Sequence, residues 1–363
     1  MFRAHGVRGR RGAIRCGPAA LQFVTFLPIQ RSPPRIPSQS TACNLESSLV
    51  KNHFHRRLLI PAIIFFAIAI TMKSSEKSPS HRLGFQTAST FQQSVDRALE
   101  KHPGTFVIAE VTSGKIIASN NLRLAATTLQ TPGSTLKPFV LMSLLELNRV
   151  DPAQKLICRR KLQIGSVHLD CTHPISVAQL DSDDAIAYSC NSYFAQVSIR
   201  LTSNELVQTF RRAGFDSPTG LTENDVSGRI RPPSNNDQIQ LEALGADGIE
   251  ITPLELLEAY RKLALRKRNG DIGKDAPVFD GLEHSVAYGM ARAANVDDMK
   301  VAGKTGTAAS RTNPRTHGFF VGYAPADKPE IAIVVFVQQG NGADAAAIAQ
   351  SAFALYAREN RAK

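Results

Sequence analysis

One serine and one lysine of this sequence, Ser134 and Lys137, are spaced so that the lysine amine can act as a base for the serine hydroxyl. Residues three apart lie on one face of a helix, and burial lowers the pKa of a lysine towards neutrality. A neutral amine beside a hydroxyl activates it as a nucleophile. The N–H groups left free at the start of a helix can also stabilise an oxyanion.

The Ser-x-x-Lys spacing is common by itself, since Ser48 and Lys51 repeat it, as do Ser74 and Lys77. Only the copy at Ser134 follows a Pro-Gly pair and opens a run of apolar residues at helical spacing, namely Leu136, Phe139, Val140, Leu144 and Leu147. We therefore predict a helix that begins near Ser134 and buries one face. On this basis Ser134 is the predicted nucleophile and Lys137 the predicted base.

Two further short motifs follow along the chain. Ser189-Cys190-Asn191 is the first, and Lys304-Thr305-Gly306, followed by Thr307, is the second. Ser-x-Asn also occurs at residues 119–121 and 234–236, whereas Lys-Thr-Gly occurs once. Motifs of these three types are the signature of class A β-lactamases and penicillin-binding proteins, and they stand here in the family's order.

The wider sequence resembles the transpeptidase domain of penicillin-binding proteins over roughly residues 85–355. The resemblance is carried by residues 132–139, 189–194, 251–255, 302–308 and 320–325. One departure is Gly245-Ala246-Asp247-Gly248, where the family usually has Gly-Gln-Gly, which affects the expected substrate preference. No glycosyltransferase region or long N-terminal pedestal precedes the matching stretch, so we expect a minimal form of the family.

The resemblance implies a role for each motif residue. Ser134 would attack the carbonyl of a D-alanyl-D-alanine bond while Lys137 takes its proton. Ser189 would relay protons, and Asn191 would hold the lysine and the substrate backbone. Lys304 would attract the substrate's terminal carboxylate. Thr305 and Thr307 would offer hydroxyls to the same carboxylate, Gly306 would let the acyl chain approach the strand, and the N–H groups of Ser134 and Thr307 would form the oxyanion hole.

The five cysteines of the chain stand at residues 16, 43, 158, 171 and 190. In an exported protein Cys158 and Cys171 could form a disulfide worth roughly 3 kcal/mol. His168 and His173 lie nearby, but the spacing fits no standard zinc pattern, so we predict no metal and no cofactor. Cys190 is predicted to be a small buried thiol.

Most of the net charge of +12 lies at the N-terminus. Residues 1–57 hold nine Arg, one Lys and one acidic residue, for a net +9, which leaves +3 for the rest of the chain. A basic arm without a basic body argues against a nucleic-acid partner. We predict that residues 1–57 are disordered or, if translation starts near Val50, partly untranslated.

Residues 58–72 contain an apolar run of the length of a secretory signal, shorter than a typical membrane-spanning helix. They are predicted to be a cleaved signal or a short membrane anchor, and residues 73–84 a linker. Either version places residues 85–358 in the cell envelope, on the outer face of the cytoplasmic membrane or in the periplasm.

The predicted fold is α/β (α+β), with an antiparallel sheet of about five strands covered by helices. Strands are expected at both ends of the folded body, at residues 105–111, 116–118, 301–308, 318–324 and 331–337. Helices are expected at residues 91–100, 343–358 and through most of 150–289. Strands at both ends with helices between them predict an inserted helical subdomain, with the active site between it and the sheet.

The resemblance implies a peptidoglycan serine DD-transpeptidase that binds stem peptides and β-lactams covalently. Two alternatives change the acyl acceptor to water: a DD-carboxypeptidase and a serine β-lactamase. The lactamase needs a deacylating group, and Glu205, Glu223, Glu242 and Glu250 are candidates by position. A β-lactam sensor is the alternative of another class, although the chain has no second apolar run of spanning length.

Overall fold

A computed structural model describes residues 86–309 and 315–361 of the chain. The predictions for residues 1–57, 58–72 and 73–84, including Ser74 and the signal or anchor, lie outside the described residues. Within the described residues no helix is long and apolar enough to cross a membrane. The predicted limits of the body, residues 85–358, stay a prediction.

A five-stranded antiparallel sheet forms the centre of the fold, which confirms the predicted fold class. Its strand order is β2-β1-β11-β10-β9, so β9 lies at one edge. Six further strands of two residues pair as β3–β6, β4–β5 and β7–β8. The strands are β1 (Gly104–Glu110), β2 (Ile116–Asn120), β3 (Leu156–Ile157), β4 (Gln163–Ile164), β5 (Val167–His168), β6 (Gln179–Leu180), β7 (Arg229–Ile230), β8 (Ile249–Glu250), β9 (Ala302–Ala309), β10 (Thr316–Ala324) and β11 (Ile331–Val337).

Helices cover both faces of this sheet and form the insertion between β2 and β9 together with short strands. Residues 150–181, where the sequence predicts helices, hold the strands β3 to β6 and no helix. Three short 3₁₀ turns, Gly133–Leu136, Gly273–Asp275 and Arg292–Ala294, accompany them. The helices are α1 (Gln86–Leu99), α2 (Leu122–Thr127), α3 (Lys137–Glu146), α4 (Ser182–Ala187), α5 (Asn191–Ser198), α6 (Ser203–Ala213), α7 (Asn236–Ala243), α8 (Pro253–Arg268), α9 (Ala276–Ala287) and α10 (Gly342–Arg361).

The sheet is buried on both faces because each strand alternates between two cores. Val107 and Val334 belong to the core shared with α8 and the helical insertion. Phe106 and Val335 belong to the core shared with α1 and α10. All seven residues of β11 are buried, which explains its unbroken apolar sequence, since a strand covered on both sides has no polar face.

Local signals in the sequence fix where the main helices begin. Thr252 caps α8: its hydroxyl accepts the Glu255 N–H, and the Glu255 carboxylate accepts the Thr252 N–H. Thr202 and Glu205 form the same capping box at α6. Pro253 stands at the first position of α8, where the missing N–H has no helical partner to lose.

Helix α3 differs from its prediction, because it is buried on nearly all sides rather than on one face. Eight of its ten residues are buried, including Lys137. Leu147, counted in the predicted apolar face, follows the helix and is 39% exposed. The helix runs through the middle of the insertion, where neighbours surround it.

Helix α7 carries a buried carboxyl group, Glu242, just before the loop that touches the turn at Gly133. Its side chain is 1% exposed, and neither carboxyl oxygen has a hydrogen-bond partner among the described residues. Burial raises the pKa of Glu242 from 4.5 to about 8; Arg231 opposes this shift and Asp247 adds to it. The folded protein therefore holds a proton there that the unfolded chain releases.

Because the folded chain binds a proton at Glu242 that the unfolded chain releases, the folded state should lose stability as the pH rises. Between pH 4.5 and pH 8 the unfolded chain ionises at Glu242 while the folded chain does not, so the free energy of unfolding decreases with pH. Glu242→Gln removes the ionisable group. We expect its gain in free energy of unfolding to rise from near zero at pH 4.5 to roughly 3–5 kcal/mol above pH 8, since each unit of pKa shift corresponds to about 1.4 kcal/mol. Urea unfolding of the full-length chain across this pH range measures the gain.

The control is Glu223→Gln, which changes an exposed carboxylate in the same way. A gain for Glu242→Gln that does not depend on pH, or an equal gain for the control, would contradict the assignment of the proton to Glu242.

Candidate active site

Ser134 lies in the 3₁₀ turn Gly133–Leu136, and Lys137 is the first residue of α3. A 3₁₀ turn has three residues per turn, so side chains at i and i+3 eclipse each other. The sequence predicted this neighbourhood for an α-helix, and the tighter turn aligns the two side chains more closely. Ser134 is half-buried, whereas the Lys137 side chain is fully buried.

Three hydrogen bonds that the sequence does not predict hold this turn in place. Gly133 N–H donates to Gly245 O at 3.0 Å, and a Cβ on Gly245 would lie 2.2 Å from Gly133 O. His317, on β10, donates from Nε2 to Thr131 O at 2.7 Å. Tyr260, on α8, donates from Oη to Thr135 O at 2.8 Å. In the sequence, the Gly245 stretch differs from the family pattern, and nothing there indicates a contact with Gly133. Nothing local in the sequence marks His317 or Tyr260 as supports.

The Lys137 amine is held by the second motif. Its Nζ donates to Ser189 O at 2.7 Å and to Asn191 Oδ1 at 2.6 Å, and it lies 3.3 Å from Ser189 Oγ. Burial lowers the pKa of Lys137 from 10.5 to about 8, although the nearby thiols of Cys190 and Cys171 oppose this. An amine with such a pKa is neutral in a useful fraction of molecules near pH 8.

Lys304 brings a second buried amine to the same hydroxyl. Its Nζ donates to Ser189 Oγ at 2.8 Å and to Thr305 O at 3.1 Å. Burial, and next the charge of Lys137, lower the pKa of Lys304 well below its usual value. The Lys137 and Lys304 amines repel each other when both are protonated. An anion bound near the Ser189 hydroxyl would reduce this repulsion, so the arrangement favours an anion.

The backbone conformation of Ser189 lets its carbonyl and its hydroxyl contact two different lysines. Its φ of 52° lies in the left-handed region, which is uncommon for a residue other than glycine and carries a strain of order 1 kcal/mol or more. In this conformation its carbonyl faces Lys137 while its hydroxyl meets Lys304. Asn191, the first residue of α5, is oriented by its Nδ2, which donates to Leu169 O at 2.9 Å.

Strand β9 brings the third motif against the turn that carries Ser134. A Cβ on Gly306 would lie 2.4 Å from Pro132 O and 2.8 Å from Thr135 Cγ2. Gly306 therefore allows the turn to approach the strand, and the predicted approach of an acyl chain stays a prediction. Thr305 is buried, and the exposed Thr307 accepts the Gly342 N–H on its Oγ1 at 2.9 Å.

The structure thus unites Lys137, Ser189, Asn191 and Lys304 in one hydrogen-bonded cluster. Ser134 takes part in none of the hydrogen bonds between side chains of the described residues, and its neighbourhood follows from the turn. Thr307 N lies 3.0 Å from the place of a Cβ on Gly133, next to the Ser134 amide. The individual roles assigned to these residues stay predictions.

The predicted disulfide between Cys158 and Cys171 is not formed. The three cysteines of the described residues are buried free thiols. Instead of pairing, Cys158 faces His173, with Sγ 3.4 Å from Nε2, and Cys171 faces Cys190, with the sulfurs 3.8 Å apart.

The four glutamates considered as deacylating groups differ in their surroundings. Glu205 caps α6 and is bound by Arg149 at 2.8 Å, which commits its carboxylate to structure. Glu223 is exposed, and Glu250 lies in β8. Only Glu242 combines burial with a raised pKa. It lies before Gly245, beside Gly248, whose added Cβ would meet its Oε2 at 3.2 Å.

The sequence is similar to bacterial proteins named peptidoglycan D,D-transpeptidase. The chain is 26% identical over 196 residues to the peptidoglycan D,D-transpeptidase PbpA of Mycobacterium tuberculosis, covering 44% of this chain and 39% of that protein. It is 27% identical over 285 residues to the peptidoglycan D,D-transpeptidase MrdA of Acinetobacter baumannii, covering 61% of this chain and 41% of that protein. The matches span about two fifths of the length of these relatives.

The fold is shared with solved transpeptidase domains. The D,D-transpeptidase domain of a peptidoglycan glycosyltransferase from Eggerthella lenta matches with a TM-score of 0.66 at 20% identity, over 76% of this chain and 82% of that one. A penicillin-binding protein 2 from Helicobacter pylori, solved with MreC, matches with a TM-score of 0.64 at 17% identity, over 74% and 62%.

The family profile described as the penicillin binding protein transpeptidase domain matches residues 104–355, which is more than half of the chain. That range begins at β1 and ends within α10, so it contains all five strands of the sheet and the three motifs. The chain belongs to the family of penicillin-binding protein transpeptidase domains.

Proposed function

We propose that this protein is a peptidoglycan serine DD-transpeptidase that forms an acyl-enzyme on Ser134 and is acylated there by penicillin. The observation that carries the proposal is the state of Lys137, which is fully buried, has a pKa of about 8 and follows Ser134 by one 3₁₀ turn. The names of the relatives, peptidoglycan D,D-transpeptidase, support the same reaction.

The contacts of Lys137 suit a general base. A neutral amine has two N–H donors and one lone pair, and both donors have acceptors in Ser189 O and Asn191 Oδ1. The lone pair is then left for the Ser134 hydroxyl. Ser134 Oγ bonds to the substrate carbonyl carbon as its proton passes to Lys137, which gives a tetrahedral oxyanion.

Breakdown of that intermediate needs a proton for the leaving D-alanine nitrogen. Ser189 Oγ lies 3.3 Å from Lys137 Nζ and accepts from Lys304 Nζ, so its own hydrogen is free to be relayed. The C–N bond breaks as the nitrogen gains this proton, and Lys137 supplies a proton to Ser189 in turn. The nitrogen of an amine on a second stem peptide then bonds to the ester carbon as its proton passes to Lys137. The bond from that carbon to Ser134 Oγ breaks, Oγ regains the proton from Lys137, and the new amide is the cross-link.

The charges and edges of the site suit a peptide with a terminal carboxylate. Lys304, when protonated, supplies buried positive charge, and Thr305 and Thr307 lie on the same strand as Lys304. Strand β9 is a sheet edge, to which an extended stem peptide can add as a further strand. The N–H groups of Ser134 and Thr307 are the proposed oxyanion hole, which the close approach of Gly133 to Thr307 supports.

Residues 58–72 complete the proposal as a signal or membrane anchor that places the domain in the cell envelope. The substrate is found there, on the outer side of the cytoplasmic membrane. Fractionation of cells that express the full chain tests this: recovery of the protein in the cytosol with residues 58–72 intact would refute it.

Substitution of the proposed nucleophile and base tests the chemistry. Ser134→Ala should abolish covalent labelling of the full chain by fluorescent penicillin, because no ester can form. Lys137→Ala should slow labelling about 100- to 10,000-fold, the usual contribution of a general base. The double variant should be no slower than Ser134→Ala, since the two residues act as one unit. Circular dichroism checks that the variants remain folded.

Ser74→Ala is the matched control, because Ser74 and Lys77 repeat the spacing outside the domain. It should label at the normal rate. Labelling that survives Ser134→Ala and maps to Ser74 or Ser189 would refute the assignment.

The fate of the acyl group separates the transpeptidase from its alternatives. With a D-alanyl-D-alanine stem peptide and a peptide amine acceptor, we expect release of D-alanine and a cross-linked dimer, measured by mass spectrometry. Release of D-alanine with only hydrolysed peptide would indicate a carboxypeptidase. Binding of penicillin without turnover of any stem peptide would indicate a sensor and refute the enzyme proposal.

The lifetime of the penicilloyl adduct on Ser134 tests the β-lactamase alternative. We expect persistence for many minutes by intact mass, and no change in Glu242→Gln, because Glu242 has no role in deacylation under the proposal. Loss within seconds that becomes persistence in Glu242→Gln would instead assign a β-lactamase with Glu242 as its deacylating base.

A further inference from the structure

Four side chains meet beside the second motif without a part in the proposed reaction. Cys158, Cys171, His173 and Cys190 are all buried, and their sulfur and ring nitrogen atoms lie within 4.8 Å of one another. They come from the end of β3, from the segment after β5 and from the residue before α5. Three free thiols and an imidazole around one point form the donor set of a structural zinc site.

The separations fit a metal at the centre. Zinc bonds of about 2.3 Å to sulfur and 2.0–2.1 Å to nitrogen, in tetrahedral geometry, place two sulfurs about 3.8 Å apart and a sulfur and a nitrogen about 3.5 Å apart. The Cys171 and Cys190 sulfurs are 3.8 Å apart, and Cys158 Sγ is 3.4 Å from His173 Nε2. A disulfide would need about 2.05 Å.

We propose that these four residues bind one Zn²⁺ ion as a closed Cys₃His structural site. Binding forms three Zn–S bonds and one Zn–N bond, and the three thiol protons leave to solvent; no electrons are transferred. With four protein ligands no position is open for a water molecule or substrate, so the metal stabilises the structure and takes no part in the acyl transfer.

The surroundings of His173 suit a metal ligand. Its Nδ1 lies 3.2 Å from Pro174 O, which can accept the Nδ1 proton and leave the Nε2 lone pair facing the sulfurs. Ligating histidines usually make this second hydrogen bond to a carbonyl or carboxylate. Arg160, 3.3 Å from the same nitrogen, donates to Pro174 O and to Cys171 O, both at 3.2 Å, and so ties the segment together.

Each sulfur also accepts a backbone N–H, as thiolates do. Arg160 N lies 3.4 Å from Cys158 Sγ, and Ser192 N lies 3.3 Å from Cys171 Sγ. Tyr193 N lies 3.4 Å from Cys190 Sγ at the start of α5. Zinc with three thiolates leaves a net charge of minus one, which the guanidinium of Arg160 offsets.

The sequence alone does not predict this site, because its four ligands lie in three separate parts of the chain. Zinc motifs in sequences usually pair two cysteines two to four residues apart, and this chain has no such pair. Cys171 and His173 are the nearest ligands, and Cys158 and Cys190 approach them only through the β3–β6 and β4–β5 pairings and the position of α5.

The proposed metal would also position the active site. It joins Cys190, the middle residue of the second motif, to the segment whose Leu169 O holds the amide of Asn191. Asn191 in turn holds Lys137. This consequence rests on the proposed function: removal of the metal should slow penicillin acylation about 10- to 100-fold, as small misplacements of catalytic groups do, and zinc should restore it.

Metal content tests the site independently of activity. Full-length protein without an affinity tag, purified with a reductant and zinc, should hold one zinc per chain by mass spectrometry of the metal. His173→Ala and Cys158→Ser should lose it, and His173→Cys should retain it as a fourth thiolate. Cobalt added to the metal-free protein should give the thiolate charge-transfer and tetrahedral d–d bands.

His168→Ala is the matched control, because His168 is an exposed histidine five residues earlier. It and the Cys16→Ser/Cys43→Ser double variant should keep the metal. The proposal is wrong if the folded wild-type protein holds no metal while its thiols are reduced. It is also wrong if a Cys171–Cys190 disulfide appears in the intact mass under these conditions, or if His173→Ala keeps as much zinc as His168→Ala.

Discussion

The burial of two lysine side chains, Lys137 and Lys304, is the constraint on which the rest of the site depends. Taking an ammonium group out of water costs several kcal/mol unless charge or hydrogen bonds compensate. Here the compensation is partial: each amine has fixed acceptors, and the remainder appears as lowered pKa values. The same desolvation that destabilises the charged lysines makes a neutral base available next to a serine.

This constraint explains the unusual features around it. Helix α3, which begins at Lys137, is covered on nearly all sides. The left-handed backbone at Ser189 presents its carbonyl and hydroxyl to the two amines. Gly245 and Gly306 have no side chains, so the segments that contain them can approach the Ser134 turn closely. Together these features position the Lys137 amine.

The sequence predicted those parts of the structure whose causes are local. The apolar strands and the turn at Pro132-Gly133 each follow from residues within one element. The order of the three motifs predicted which side chains would meet. Long-range contacts could not be predicted: His317 reaches Thr131 from another part of the chain, and three distant elements bring the four buried cysteine and histidine side chains together.

The strand order of the sheet has a consequence for how the protein is made. Strand β1 pairs with β11, so Gly104 lies opposite Val337, and β9, which carries the third motif, joins the sheet through β10 and β11. On the ribosome, the serine and its base would emerge long before the strand that completes their site. Contacts so distant in sequence form slowly because a long loop must close first. The candidate site therefore depends on the last third of the chain, and a nascent chain that stops before β11 would carry Ser134 and Lys137 without the sheet that completes their surroundings.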